Sequence, residues 1–191
     1  MNALIASYSL LAIERDKSSP VDLKENHSLE TLDGVVTVNR KGNAVLVGHL
    51  QEPIETVKAE GSNRSLKIKR EKFAKGLGVS GDDDGYKKAT GQKLEVVPES
   101  NVMKTRVGEE ITFKILLDGK PLKSQVYATY DGFSRRSTTF ASATESLDDG
   151  IAYVKVTSPG VWMVCVEKRI ETNARDFDLL SLKASLVFCV Q

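Results

Sequence analysis

The sequence predicts an all-β protein, and two patterns lead to that prediction. Short runs rich in β-branched or alternating residues recur along the chain, and the dipeptide Asp-Gly occurs five times. Asp-Gly favours tight turns because Gly adopts positive φ without strain. Short runs bounded by turn residues are typical of a β-sandwich or barrel. The predicted strands, in order, are residues 35–39, 44–50, 65–69, 93–97, 111–117, 125–130, 151–156, 161–167 and 184–190. Helical periodicity is limited to a short helix that we predict around Lys72–Lys75.

The chain divides at a polar segment that we expect to be a linker or an exposed loop. Residues 77–93 are rich in Gly, Asp, Ser and Lys and hold little that could be buried. Residues 94–191, which follow, are the right size for one immunoglobulin-like β-sandwich. Residues 1–76 contain fewer predicted strands, separated by polar stretches. We interpret them as a partial or smaller β domain, or as an extension packed against the sandwich.

The last two predicted strands each carry one cysteine. If they pair antiparallel about Phe177, then Cys165 faces Cys189 and a cross-strand disulfide is geometrically feasible. The alternative is two reduced cysteines that pack as small hydrophobic side chains. Trp162 shares a strand face with Val164, and we predict that it anchors the core.

Charge and hydropathy exclude several classes of protein. Lys and Arg number 27 against 26 Asp and Glu, a formal net charge of +1, so we expect no nucleic-acid partner. The basic segment 64–75 has the pattern of a half-exposed strand, and its one aromatic residue, Phe73, is too little for base stacking. No stretch is long and apolar enough to span a bilayer as a helix. The N-terminal stretch lacks the basic start and continuous apolar run of a secretory signal.

Few side chains are candidates for metal binding. The two histidines, His27 and His49, match no metal-binding spacing. His49 ends a hydrophobic strand, where ligands are often presented, but a strand-end histidine without a ligand is the simpler interpretation. The run Asp82-Asp83-Asp84 offers carboxylates for calcium but lacks the alternating spacing of the helix–loop–helix motif, and a solvated turn is the alternative. The metal ligands stay unassigned, with His49, His27, Asp82 and Asp84 as the candidates.

From Phe73 onward, the order of several segments resembles a bacterial family. The specific pieces are Leu-Glu-Val-Val-Pro at 94–98, Asp-Gly-Lys-Pro-Leu at 118–122 and Pro-Gly-Val-Trp at 159–162. They resemble the exported domain-of-unknown-function proteins often described as periplasmic components of nickel or cobalt uptake systems. The resemblance implies a transthyretin-like or carboxypeptidase-regulatory-like sandwich, a periplasmic or otherwise exported location, and a membrane metal-transport complex as partner. It implies no catalytic residues and carries no metal site onto this chain.

The resulting functional hypothesis is a non-enzymatic exported protein that serves as an accessory or binding component of nickel or cobalt uptake in the cell envelope. No phosphate-binding loop, nucleophile elbow or triad spacing indicates an enzyme. No motif indicates a cofactor, and a nickel or cobalt ion is only what the resemblance implies. The alternative is a structural or adhesion-like module that binds a protein or a carbohydrate through an edge or a loop face.

Overall fold

In the computed structural model of the chain, β-strands make up most of the regular secondary structure of the described residues, which confirms the predicted all-β fold class. The structure describes residues 7–14, 17–28, 31–37, 44–58, 64–78, 84–136 and 138–191. Within these residues the strands are β1 (Ser7–Glu14), β2 (Lys17–Pro20), β3 (Leu23–Asn26), β4 (Thr31–Gly34), β5 (Ala44–Gln51), β6 (Glu55–Lys58), β7 (Ser65–Gly78), β8 (Leu94–Pro98), β9 (Glu110–Leu117), β10 (Lys120–Pro121), β11 (Gln125–Tyr130), β12 (Ser142–Glu145), β13 (Ile151–Lys155), β14 (Gly160–Glu171) and β15 (Leu179–Val190). A short 3-10 helix, Asp84–Lys87, precedes β8.

Two sheets face each other and form a sandwich. The larger sheet has the strand order β12-β11-β14-β15-β7-β5-β1-β2, and β6 also pairs with β7. In the smaller sheet, β9 pairs with β8, β10 and β13. Strands β3 and β4 form a separate hairpin. We call the side of the larger sheet that packs against the smaller sheet its inner face, and the opposite side its outer face.

The core fills the space between the two sheets. Trp162 is fully buried there, and its indole Nε1 donates a hydrogen bond to the carbonyl oxygen of Ser158 at 2.8 Å. Phe113 of the smaller sheet meets Phe188 of the larger sheet with ring centroids 5.9 Å apart. Burial of large aromatic side chains is among the strongest contributions to a core. The predicted role of Trp162 as a core anchor is confirmed.

The N-terminal strands extend the larger sheet of the sandwich. Strand β7 pairs in parallel with β15 over nine residue positions and antiparallel with β5 on its other edge. Phe73 of β7 is part of the buried cluster between the sheets. The described strands of the N-terminal region that pair in this way therefore belong to the same sheet as β14 and β15. In the segment predicted as a linker, residues 79–83 lie outside the described residues, and Tyr86 is buried.

Two local predictions about the first half of the chain are wrong. The helix predicted around Lys72–Lys75 is the middle of β7, whose fourteen residues form one strand. The predicted strand at 35–39 is also misplaced where it is described: residues 35–37 are irregular, β4 ends before them at Gly34, and residues 38–39 lie outside the described residues. In β7 the charged residues obscured the alternation that marks a strand, whereas Val35, Val36 and Thr37 are β-branched but mostly exposed and form no strand.

Three of the five Asp-Gly pairs form tight turns. Asp118 and Gly119 both have positive φ, 48° and 74°, and connect β9 to β10, as a two-residue hairpin turn requires. Gly132 and Gly150 also have positive φ, each 81°. Of the remaining two pairs, one ends β4 and the other lies in the 3-10 helix.

The predicted pairing of the two cysteines is wrong. Strands β14 and β15 do pair antiparallel, but Cys165 lies opposite Ser185, and Cys189 lies opposite Val161. The two cysteines are therefore four positions apart along the sheet, roughly 13 Å, and both are free. A shift of four residues keeps every side chain on its own face, so the apolar pattern fits either register. Burial raises the pKa of the Cys165 thiol, whereas Cys189 is exposed.

Candidate functional site

The outer face of the larger sheet carries a groove of about 420 Å³. Its floor is a row of three small residues, Gly48, Ala74 and Ser185, which are register partners on β5, β7 and β15. A Cβ atom added to Gly48 would lie 3.6 Å from the Cβ of Ala74 and 3.7 Å from Leu10, which places this row on the groove side of the sheet. Because the side chains of these residues are small or absent, they leave space above the outer face of the sheet along this row.

The walls of the groove are mainly apolar. Leu10 of β1, Leu50 of β5 and Met163 of β14 contribute side chains from the outer face. The β3–β4 hairpin adds Leu23 and Leu32. Just before this hairpin, the backbone N–H of Val21 donates a hydrogen bond to the carbonyl oxygen of Leu10 in β1. The sheet and the hairpin together therefore form a concave apolar surface.

Two lysines line the same groove. Lys72 and Lys183 are register partners on β7 and β15, in the row next to the floor. The ammonium of Lys183 binds the carboxylate of Glu167 at 2.9 Å, and this hydrogen bond raises the pKa of Lys183. Lys72 forms an ion pair with Glu52. Among the residues that the structure describes, those lining the groove include neither these two glutamates nor any other acidic residue.

The side chain of His49 lies on the inner face, where its ring stacks on Phe73 with centroids 4.7 Å apart and planes 9° apart. Its Nε2 is 3.3 Å from a carboxylate oxygen of Glu71, and the imidazole side chain is 40% exposed. Burial of Glu71 acts to raise its pKa, but hydrogen bonds and charges from Lys69 and His49 outweigh it, so the pKa is lowered. His49 thus has one carboxylate partner and an open side.

The other metal-ligand candidates lie elsewhere. His27 is in the turn of the β3–β4 hairpin, 88% exposed, with its Nε2 3.7 Å from Glu25. Asp84 begins the 3-10 helix, and Asp82 lies outside the described residues. In the part of the chain that the structure describes, no three His, Cys, Asp or Glu side chains come close enough to hold a metal ion.

A buried ion pair connects the two sheets, and no sequence pattern indicated it. Lys75 of β7 and Glu95 of β8 form a hydrogen-bonded pair, and each side chain is only 2% exposed. The carboxylate of Glu95 also accepts hydrogen bonds from the backbone N–H and hydroxyl of Thr90, at 2.6 and 2.9 Å, and from the N–H of Gly91. Burial lowers the pKa of Lys75 more than Glu95 raises it. The one signal in the sequence is Glu95 inside the apolar run 94–97, whereas Lys75 lies among the other charged residues of β7.

The basic segment 64–75 is largely neutralised by acidic partners. Besides Lys75, Lys72 pairs with Glu52 and Arg70 pairs with Glu55. Lys69 lies 2.9 Å from Glu71. The segment is the central strand β7, so its cations serve contacts between neighbouring strands and sheets rather than forming a basic surface.

Comparison with known proteins gives a family without an assigned activity. The family model described as Domain of unknown function (DUF4198) matches residues 9–169. The match begins in β1 and ends in β14, so it covers the N-terminal strands and most of the sandwich but not β15. No curated protein matches the chain. Among the described residues, no helix has the length and apolar character needed to cross a membrane.

Proposed function

Because the chain belongs to the family described as Domain of unknown function (DUF4198), whose name specifies no activity, we propose from the geometry that it is a non-enzymatic binding module. The outer-face groove is its binding site and receives an apolar group of a ligand. The observation that carries this proposal is the groove itself, about 420 Å³ with leucine and methionine walls over a floor of small residues. Small-molecule sites generally have volumes of about 300–1,000 Å³ and mostly apolar linings.

Neither Cys165 nor His49 has the described contacts of a nucleophile–base pair. Cys165 is buried, and burial raises the pKa of its thiol, which lowers its reactivity. The partner of the His49 imidazole is Glu71 rather than a serine or cysteine. These contacts support a binding role over nucleophilic catalysis.

Filling the floor of the groove should strongly weaken the binding of a neutral apolar dye. In Gly48→Val the new side chain occupies the groove, and its Cβ makes only ordinary contacts, the nearest at 3.6 Å. Valine also suits a strand better than glycine does, so the fold should be kept. We expect N-phenyl-1-naphthylamine to bind the wild-type chain with enhanced fluorescence and the variant at least about tenfold more weakly.

The matched control for this experiment is Gly76→Val. Gly76 lies on the same face of β7 as Ala74 but does not line the groove. A Cβ atom added to Gly76 would have one neighbour, Leu46, at 3.7 Å. Its dye affinity should equal that of the wild-type chain. Equal affinities for the wild-type chain and Gly48→Val would refute the groove as the binding site.

We propose metal binding in the cell envelope as a second function, and the His49–Glu71 pair is the observation that favours it. An imidazole nitrogen and a carboxylate oxygen 3.3 Å apart supply two ligands that suit nickel or cobalt. The resemblance described above supports an exported protein that assists a membrane metal-transport complex. Water molecules would complete the coordination on the open side of the imidazole.

Calorimetric titration with Ni²⁺ and Co²⁺ tests this second function. We expect binding in the micromolar range that is lost in His49→Ala, because the variant has no nitrogen ligand at this place. His27→Ala is the matched control and should bind as the wild-type chain does, since His27 is on the hairpin turn. Absence of heat with the wild-type chain, or unchanged binding by His49→Ala, would eliminate the site.

A further inference from the structure

The groove has a cationic side as well as an apolar one. Lys72 and Lys183 extend from adjacent strands in one row, and Leu50 continues that row on β5. The row on the opposite side of the floor contains Val187 and Met163. An apolar chain that lies over Gly48 and Ala74 would therefore have ammonium groups beside it on one side only.

Both ammonium groups have capacity for a further anion. Each pairs with one glutamate, Lys72 with Glu52 and Lys183 with Glu167. An ammonium group has three N–H donors, so one ion pair leaves donors available. The side chains of Lys72 and Lys183 are 48% and 45% exposed. Glu167 continues the row of Lys183 on β14, but the described lining residues include two lysines and no acidic residue, so an anion in the groove would meet ammonium groups.

We infer that the groove binds a single-chain amphiphile with an anionic head, such as a medium-chain fatty acid. The alkyl chain lies on the floor of Gly48, Ala74 and Ser185 between the apolar walls. The carboxylate lies at the ammonium groups of Lys72 and Lys183. This inference rests on the proposed function, because it names the ligand class for the same groove.

Three ligands with the same ten-carbon chain separate the contribution of the head group from that of the chain. Calorimetric titration of the full chain with decanoate, decanol and decyltrimethylammonium should give the tightest binding for decanoate, about tenfold tighter than for decanol. Decyltrimethylammonium should bind most weakly, because its cation faces two lysines. Shortening decanoate to octanoate should weaken binding by at most about fourfold for each methylene removed.

A charge-neutral double variant tests the role of the lysines. Lys183→Met with Glu167→Gln removes the ammonium together with its ion-pair partner, so no unpaired carboxylate remains beside the groove. Decanoate should bind about five- to tenfold more weakly, and decanol should bind unchanged. The matched control is Lys123→Met with Asp148→Asn, which removes an exposed ion pair of 3.2 Å outside the groove lining and should change neither affinity.

The possible failures of this inference and of the proposed function are distinguishable. If all three ten-carbon ligands bind equally and Gly48→Val abolishes each, the preference for an anion is refuted while the groove stands. If none of the three ten-carbon ligands displaces the dye but Gly48→Val still weakens dye binding, the inferred ligand class is also refuted while the groove stands. If dye binding is insensitive to Gly48→Val, the proposed function itself is refuted. A decanoate affinity that is unchanged in the Lys183 double variant also overturns the inference.

Discussion

Glu95→Leu should lower the free energy of unfolding by about 3–5 kcal/mol, because it removes the partner of a buried ammonium. Lys75 would then be buried with no carboxylate, and the donors of Thr90 and Gly91 would lose their acceptor. Lys75→Met should cost less, since the carboxylate of Glu95 keeps those hydrogen bonds from residues 90–91. Urea unfolding followed by the fluorescence of the buried Trp162 measures both changes.

The double variant Lys75→Met with Glu95→Leu provides the control for this prediction. Replacing a whole buried ion pair with apolar side chains is often close to neutral, so much of the lost stability should return. Additive losses in the double variant would contradict the assignment of the large effect to an uncompensated charge. Equal losses in the two single variants would contradict the stabilising role of the Thr90 and Gly91 hydrogen bonds.

Gly150→Ala should destabilise the fold by about 3 kcal/mol or more. Gly150 has a φ of 81°, which an L-residue adopts at a cost. An added Cβ would also lie 2.7 Å from the carbonyl oxygen of Ile115 and 3.2 Å from Pro121. That carbonyl already accepts a hydrogen bond from the N–H of Leu122, so it moves only if this bond is lost.

Gly132→Ala separates the two causes of this loss. Gly132 has the same φ of 81°, but an added Cβ there would meet nothing within 4 Å. We expect a cost of about 1–2 kcal/mol for the backbone conformation alone. Thermal unfolding of both variants compares the costs directly. If they are equal, the contact with Ile115 contributes nothing.

The strands of the sandwich core could be predicted from the sequence because their two faces have different environments. Residues 111–117, 125–130 and 161–167 alternate between core and exterior, and the structure has strands at all three places. Strand β7 was harder to predict as a whole, since its inner face carries Lys69, Glu71 and Lys75. Their acidic and basic partners come from other strands or from side chains on the same strand, and such pairing is invisible in a one-dimensional pattern.

Register and the groove depend on information that the apolar pattern lacks. The pairing of Cys165 with Ser185 differs from the predicted pairing by an even number of residues, which leaves the faces of both strands unchanged. The groove floor unites Gly48, Ala74 and Ser185, which are far apart in the chain and become neighbours only through the pairing of β5, β7 and β15. Single small residues in a sequence do not indicate a groove, so this site can be recognised only when the pairing of β5, β7 and β15 is known.

The parallel pairing of β7 with β15 also has a consequence for how the protein folds. Paired residues of the two strands, such as Ile68 and Leu179, lie more than a hundred positions apart in the sequence, while β5 and β7 are close neighbours. Ribosomes release the chain from its N-terminus, so β1, β5 and β7 emerge with an unpaired edge until β15 has been synthesised. Closing so large a loop makes this pairing slow compared with hairpin formation. For much of its synthesis the nascent chain therefore presents a strand edge that is open to chaperones or to aggregation.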